Sequence, residues 1–187
     1  VNSDAITGVT LNHGTNTTVP VTKAAGTYTN EIIASAATGS GLANYAITYV
    51  PNTLTVNKAT LTFTADNKSR VYGDANPTLT YTITGYVNNE TALNAGVTGT
   101  PSITTTATAA SGVNTYTITS AANDLAAANY QFSYVNGTLT VNRRPVTVTA
   151  DDKTRIYGAA NPTFTYTVAT DGTGTSRGLY RTDALTG

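Results

Sequence analysis

One stretch of this chain occurs twice, and that repetition constrains the fold more than any other feature. KSRVYGDANPTLTYTITG occupies residues 68–85, and KTRIYGAANPTFTYTVAT occupies residues 153–170, 85 residues further on. The same offset relates LANYAITYVPNTLTVN (42–57) to AANYQFSYVNGTLTVN (127–142). A fixed period of this length indicates a protein built from repeated structural units.

The repeats divide the chain into three parts. Residues 60–144 form a complete copy, residues 1–59 the C-terminal part of a repeat and residues 145–187 the N-terminal part of another. SDAITG (3–8) resembles TDALTG (182–187), so the chain starts and stops at the same phase of the repeat. We therefore expect about two periods of a longer array, unless the folding unit is permuted relative to this frame.

Alternating apolar and threonine residues predict a mainly β repeat. Roughly a fifth of the residues are threonine, a β-branched residue that suits strands. Strands are predicted at 61–65, 78–85, 102–107 and 114–121, whereas 88–96 is the only stretch suited to a short helix. The residues predicted to face inward in the first two strands are Leu61, Phe63, Ala65, Leu79, Tyr81 and Ile83.

Asn136-Gly137 lies between two alternating runs in NYQFSYVNGTLTVN (129–142). Because a type I′ turn needs positive φ at both central residues, this pair predicts a β-hairpin. The hairpin would place Tyr134 opposite Leu139 and Phe132 opposite Val141 on one face.

The order of elements in one repeat is two strands, a short helix or loop, and three or four further strands. This order suits a β-grasp-like sheet with one short helix or an immunoglobulin-like sandwich, and both alternatives stay open. The junctions 53–66 and 138–151 contain no Gly/Ser-rich linker, so we expect tandem small β-domains in an elongated, semi-rigid array.

Composition excludes several classes of partner and cofactor. The 187 residues include ten basic and ten acidic side chains, and only 11% are charged. Nucleic-acid binding needs clustered Lys and Arg, and membrane insertion needs a long apolar run; we expect neither. Since Cys is absent, disulfides and thiolate metal sites are excluded, and we expect no cofactor.

The motif Lys-x-x-x-Tyr-Gly-x-x-Asn-Pro, present as KSRVYGDANP (68–77) and KTRIYGAANP (153–162), resembles bacterial extracellular MBG domains of the YGX type. AANYQFSYVNGTLTVN is also similar to the end of such a repeat. The resemblance implies tandem copies in large secreted proteins, including filamentous-haemagglutinin-like adhesins. It implies localisation at a bacterial cell surface or in the extracellular matrix, and it carries over no catalytic residues, so we expect no enzyme.

A structural role is the favoured interpretation of the repeated motif, because an element found in every copy serves the fold of every copy. The glycine is expected to supply an unusual φ, and the proline to hold the preceding asparagine extended. The alternative is that the tyrosine stacks on a sugar ring. The motif residues are Tyr72, Gly73, Asn76 and Pro77 in one copy, and Tyr157, Gly158, Asn161 and Pro162 in the other.

A loop in the last copy is the best candidate binding site. An insert at 170–178 is followed by Tyr180 and Arg181, and Arg177 lies within it. Arginine with tyrosine suits an acidic glycan or a partner protein, although a solvated loop is equally consistent.

Other candidate sites carry less weight. His13 is the only histidine and lies in a turn-like setting that suits neither a metal site nor a catalytic triad. Asp66-Asn67, Asp151-Asp152 and Asp74 could bind Ca²⁺ at junctions, but solvated turn acids are the simpler interpretation. Lys68 or Lys153 could form an isopeptide bond only beside an asparagine and an acid.

The sequence therefore predicts a non-enzymatic structural repeat that acts as a stalk or spacer of an adhesin, or as a building block of an extracellular filament. Its expected partners are further copies of the repeat, with possible self-assembly. A glycan- or mucin-binding adhesive module that recognises host or matrix glycans is the alternative.

Overall fold

The computed structural model describes residues 3–169, 178–181, 183 and 184, and it is mainly β. The strands are β1 (Ala5–His13), β2 (Gly26–Ser40), β3 (Asn52–Val56), β4 (Ala59–Ala65), β5 (Lys68–Val71), β6 (Tyr81–Thr84), β7 (Ser102–Thr105), β8 (Asn114–Ala121), β9 (Tyr130–Val135), β10 (Gly137–Asn142), β11 (Val148–Ala150) and β12 (Tyr166–Val168). A short 3-10 helix spans Leu42–Asn44. No helix in the described ranges is long and apolar enough to cross a membrane.

The strands of the described residues form four sheets. Their orders are β1-β2-β3, β6-β4-β9, β5-β10-β8-β7 and β11-β12. In the four-stranded sheet β10 pairs with β5 in parallel and with β8 antiparallel, and β7 and β8 are antiparallel. The β1-β2-β3 sheet and the β11-β12 pair are antiparallel.

The chain divides into two compact units that differ from the repeats. The first comprises Val1–Phe63, Ile83–Pro101 and Ala122–Ser133, and the second comprises Thr64–Thr82, Ser102–Ala121 and Tyr134–Gly187. The division into repeats at residues 60 and 145 stays a prediction.

Aromatic side chains form the centre of the first unit. Phe63 and Tyr130 are each 1% exposed. Phe132 packs edge-on against Phe63 with ring centroids 5.7 Å apart, and Tyr86 packs against Tyr130 at 6.2 Å. These edge-to-face contacts are a favoured aromatic geometry, and they join β9 to β4 and to the segment that follows β6.

Aliphatic side chains form the core of the second unit. Ala65, Ala107, Ile118 and Leu139 are buried, with Leu79, Ile103 and Tyr116 packed against them.

The alternation in LTFTA predicted that Leu61, Phe63 and Ala65 face inward, and their exposures of 0%, 1% and 2% confirm it. Leu79 and Ile83 are half-buried, but Tyr81 is 37% exposed, so its predicted burial is wrong.

The predicted hairpin at Asn136-Gly137 is wrong, because β9 and β10 belong to different sheets. The Asn136 side-chain oxygen accepts a hydrogen bond from the Ser120 backbone N–H at 3.0 Å. Gly137 lies so close to β4 that a Cβ would be 2.4 Å from the Ala65 carbonyl oxygen. The pair therefore marks a crossover between sheets, and glycine is required there for close approach rather than for a type I′ turn.

The short helix predicted at 88–96 is also absent; this stretch forms turns instead. Asn88 and Asn89 have φ of 53° and 59°. This left-handed conformation is incompatible with a right-handed helix, so none can begin at these two residues. One helical hydrogen bond remains, from the Ala95 N–H to the Thr91 carbonyl.

Candidate functional site

The Tyr-Gly turn follows β5 in the complete copy, and its glycine has the same φ in both copies. Gly73 has φ of 87° and Gly158 has φ of 86°, as the motif predicts, and this region favours glycine. The surroundings differ. A Cβ at residue 73 would lie 2.5 Å from Cδ2 of Tyr180, whereas a Cβ at residue 158 would meet nothing within 4 Å.

A buried arginine connects the motif to the rest of the second unit. Arg70 is 6% exposed, and its Nε donates to the Asn76 side-chain oxygen at 2.9 Å. Its two terminal nitrogens donate to the Val71 and Thr108 carbonyls. The Asn76 amide in turn donates to the Ala107 carbonyl at 2.6 Å.

This network gives the motif asparagine a structural task, but the central role of Arg70 was missed from the sequence. The signal was present, because arginine recurs in the last copy as Arg155. There the side chain is exposed and donates to the Ala159 carbonyl at 3.3 Å.

An aromatic and arginine cluster lies against the Tyr-Gly turn. Tyr180 packs edge-on against Tyr72 with ring centroids 5.3 Å apart. The guanidinium of Arg181 lies 5.0 Å from the centroid of the Tyr180 ring, and that of Arg144 lies 5.7 Å from it. Such distances allow cation–π attraction on an aromatic ring.

Arg144 holds this cluster together. Its Nε donates to the Gly178 carbonyl at 2.9 Å, and its Nη1 donates to the Tyr72 carbonyl at 3.2 Å and lies 3.8 Å from the Asp74 carboxylate. The side chain is 9% exposed. Arg144 therefore ties the last described residues of the chain to the motif turn.

The cluster borders a shallow depression of about 280 Å³, lined by residues that include Tyr72, Val113, Arg144, Tyr180 and Asp183. Burial raises the pKa of the Tyr72 phenol above its usual value of 10.0, and the Asp183 carboxylate raises it further. Tyr72 is therefore a neutral hydrogen-bonding group at ordinary pH.

The structure places two of the three predicted binding residues in this cluster. Tyr180 is half-buried and Arg181 is exposed, while Arg177 lies outside the described residues. Tyr72 and Arg144 were not predicted as neighbours of Tyr180, because nothing local in the sequence indicates a contact between such distant positions.

The acidic residues considered for calcium have protein partners. The Asp66 carboxylate accepts from the hydroxyls of Thr80 and Thr82, and these hydrogen bonds lower its pKa. Asp151 accepts from Thr165 in the equivalent way, and Lys68 Nζ lies 3.9 Å from Asp66. In the described ranges no group of three or more His, Cys, Asp or Glu residues is placed to hold a metal ion.

His13 pairs with an acid in the first unit. Its Nε2 lies 2.5 Å from Oε1 of Glu31, which also accepts a hydrogen bond from Lys23 at 2.9 Å. That hydrogen bond is the main reason that the pKa of Glu31 is lowered. The arrangement joins the end of β1 to β2 and Lys23, which is a structural contact.

Comparison with known proteins gives one match. A family model for the MBG domain (YGX type) matches residues 61–140 and 146–187. No curated protein and no solved structure matches the chain significantly. The two matched ranges contain both copies of the Tyr-Gly motif, so the resemblance inferred from that motif is confirmed, and the chain belongs to the MBG domain family of the YGX type.

Proposed function

We propose that this chain is a non-enzymatic structural repeat of a large bacterial extracellular protein, and that it acts as a spacer in an adhesin stalk or extracellular filament. MBG domains of this type are repeat modules typical of extracellular proteins. The tandem arrangement of small β-domains in an elongated array is part of the proposal. So is its location at a bacterial cell surface or in the matrix.

The observation that carries the proposal is the use of the motif side chains within the fold of the complete repeat. Arg70 donates hydrogen bonds to the Asn76 side chain and to a backbone carbonyl, and Asn76 donates to another backbone carbonyl. The Tyr72 ring packs against the Tyr180 ring. A motif that repeats in order to recognise a ligand would instead leave polar and aromatic groups available to it.

A glycan- or mucin-binding module is the second candidate, and the depression beside Tyr180 favours it. Arg143 and Arg144 line it together with Tyr180, Arg181 contacts the Tyr180 ring, and an aromatic ring flanked by arginines suits an acidic sugar. The size of the depression, about 280 Å³, is near the lower limit of small-molecule sites.

Binding of the full chain to an array of mucins and acidic glycans separates the two functions. The spacer function predicts no saturable binding by the parent chain. Saturable binding that Tyr180→Ala and Arg181→Ala abolish, while the matched surface variant Lys153→Ala retains it, would assign the function to the depression instead.

A further inference from the structure

The turn that follows β6 occurs again in the last repeat. In the complete repeat, residues 87–90 form a turn closed by a backbone hydrogen bond of 2.9 Å between its ends, and Asn88 has φ of 53°. In the last repeat the Asp183 N–H donates to the Tyr180 carbonyl at 3.1 Å, and Arg181 has φ of 55°. Because such positive φ values are uncommon outside glycine, the two turns are equivalent elements. We call them the docking turns.

Each docking turn lies beside the same part of the preceding repeat. The loops before β2 and β8 are equivalent, because the hydroxyls of Tyr28 and Tyr116 each donate to the carbonyl four residues earlier at 2.8 Å. Three residues before these tyrosines are Ala25 and Val113. Ala25 lines a depression of about 100 Å³ with the first docking turn, and Val113 lines that of about 280 Å³ with the second.

Hydrogen bonds join the two sides of the first junction. The Asn88 side-chain amide in the docking turn donates to the Val21 carbonyl of the preceding repeat at 3.3 Å. The Ala25 N–H of the preceding repeat donates to the side-chain oxygen of Asn129 at 3.0 Å. The complete repeat therefore contacts the loop before β2 at two separate points.

The second junction has larger side chains at the corresponding positions. Arg144 follows Ala59 by 85 residues, and Tyr180 takes the place of Val87 in the docking turn. The guanidinium of Arg144 lies 5.7 Å from the centroid of the Tyr180 ring, and its Nε donates to the Gly178 carbonyl at 2.9 Å. An alanine and a valine at one junction thus correspond to an arginine and a tyrosine in cation–π contact at the other.

Each compact unit contains one of these junctions. The first unit includes both the loop before β2 and residues 87–90, and the second includes both the loop before β8 and Tyr180. Contacts within the chain are therefore dense across the boundaries between repeats. This is expected of an array in which interfaces between neighbours contribute to stability.

We propose that each docking turn binds its own repeat to the preceding repeat, and that the residue pairs Ala59–Val87 and Arg144–Tyr180 set the strength of the two junctions. The partner of this surface is the adjacent repeat of the same chain. A covalent connection alone lets neighbouring repeats rotate, whereas a second contact beside it opposes rotation. The proposal rests on the spacer function proposed above and gives the stiffness of the spacer a physical cause.

Amide hydrogen exchange of the full chain tests the first junction. Asn88→Gly removes the donor to the Val21 carbonyl but accepts the positive φ. The reporter is the Lys23 N–H, which donates to the Pro20 carbonyl at 3.0 Å in the loop of the preceding repeat. We expect it to exchange about three- to tenfold faster. Asn89→Gly is the matched control, since Asn89 has φ of 59°, and it should leave that rate unchanged.

The same measurement tests the second junction. Tyr180→Val introduces the residue of the first docking turn and removes the ring that packs against Tyr72. The reporter is the Asp74 N–H of the preceding repeat, which donates to the Val71 carbonyl at 3.1 Å, and it should exchange about three- to tenfold faster. Tyr157→Val, which changes a tyrosine that is 100% exposed, is the matched control.

The amides of β10 serve as an internal reference, because this strand supplies the buried Leu139 and Val141, and we expect them to keep their parent rates in every variant. An unchanged rate at either reporter amide, or an equal rise in the β10 amides, would show that the docking turns do not bind the preceding repeat and would overturn the proposal. The spacer function would survive that result, since the glycan array tests it separately.

Discussion

Arg70 is a charged side chain that the fold buries, and its partners lie entirely within the second compact unit. Removing one member of a buried hydrogen-bonded network leaves the others without partners and costs more than the network contributes when it is intact. The repeated motif therefore depends on Arg70 even though the motif's name comes from its tyrosine and glycine.

We predict that Arg70→Met lowers the free energy of unfolding by about 2–4 kcal/mol. The side-chain oxygen of Asn76 and the Thr108 carbonyl would lose their donor. Arg155→Met changes the exposed equivalent and should cost no more than about 0.5 kcal/mol. Urea unfolding of both variants measures the difference, and equal losses would contradict the structural role of Arg70.

Two constraints require glycine at residue 73, a positive φ and close contact with a neighbouring side chain, whereas only the positive φ applies at residue 158. Both have φ near 87°, but only residue 73 is in close contact with Tyr180. Gly158→Ala should therefore lower the free energy of unfolding by about 1–2 kcal/mol, because it introduces backbone strain alone. Gly73→Ala should lower it by the same strain and by about 1–3 kcal/mol more, because the new Cβ overpacks against Tyr180.

A double-mutant cycle tests this interpretation by urea unfolding. In the Tyr180→Ala background the cost of Gly73→Ala should fall to that of Gly158→Ala, because the clashing ring is gone. An undiminished cost would mean that Tyr180 does not rest on the Tyr-Gly turn in solution.

Among the elements, β4 shows what alternation in a sequence can predict. Its apolar residues face the core because side chains of a strand alternate between two faces, and this is a local property. The partners of a strand are not local. Asn136-Gly137 has the residues of a tight turn, yet the chain crosses between sheets there because of Ser120 and Ala65, which are distant in sequence.

In the candidate site, too, some features follow from the local sequence and others depend on tertiary contacts. The positive φ of Gly73 follows from the motif itself, and the proximity of Tyr180 to Arg181 follows from adjacency in the chain. The contacts of Tyr180 with Tyr72 and of Arg144 with Gly178 depend on tertiary packing, which no periodicity in the sequence records.

The crossover at Gly137 predicts a steric effect that a hairpin turn would not produce. Gly137→Ala should lower the free energy of unfolding by about 1–3 kcal/mol, because the new Cβ would clash with the Ala65 carbonyl. Gly112→Ala is the matched control, since nothing lies within 4 Å of a Cβ there, and it should be neutral within about 0.5 kcal/mol. Urea unfolding compares them, and a neutral Gly137→Ala would contradict the close approach to β4.

The carboxylate of Asp66 connects the end of β4 to β6, and it gives stability a pH dependence. Hydrogen bonds from Thr80 and Thr82 lower its pKa below the usual 3.8. Because the unfolded state binds the proton more readily, this stabilisation is complete above pH 3.8 and is lost as the pH falls through the lower, folded-state pKa.

Asp66→Asn should therefore be less stable than the parent chain at neutral pH, and the difference should shrink below pH 3.8. Urea unfolding at a series of pH values measures it. Asp152→Asn, which changes an exposed carboxylate in the last copy of the repeat, serves as the control. A difference that stays constant down to about pH 2 would show that the carboxylate charge is not what the threonines recognise.

At the scale of the whole molecule, the spacer function predicts how the maximum dimension of the protein increases with the number of repeats. A compact repeat of about 85 residues has a radius of gyration of roughly 12 Å, so each copy should add roughly 30 Å to the maximum dimension. Short extended junctions keep this increment constant, whereas flexible linkers let neighbouring copies fold back on each other.

Small-angle scattering from chains with one, two and three additional copies of residues 60–144 tests this claim. We expect the maximum dimension to rise in equal steps with copy number. A matched series with a Gly/Ser segment inserted after Asn142 should fall below that line, because a flexible chain grows only with about the square root of its length. If the two series coincide, the junctions do not hold neighbouring repeats apart, and the repeat cannot act as a stiff spacer.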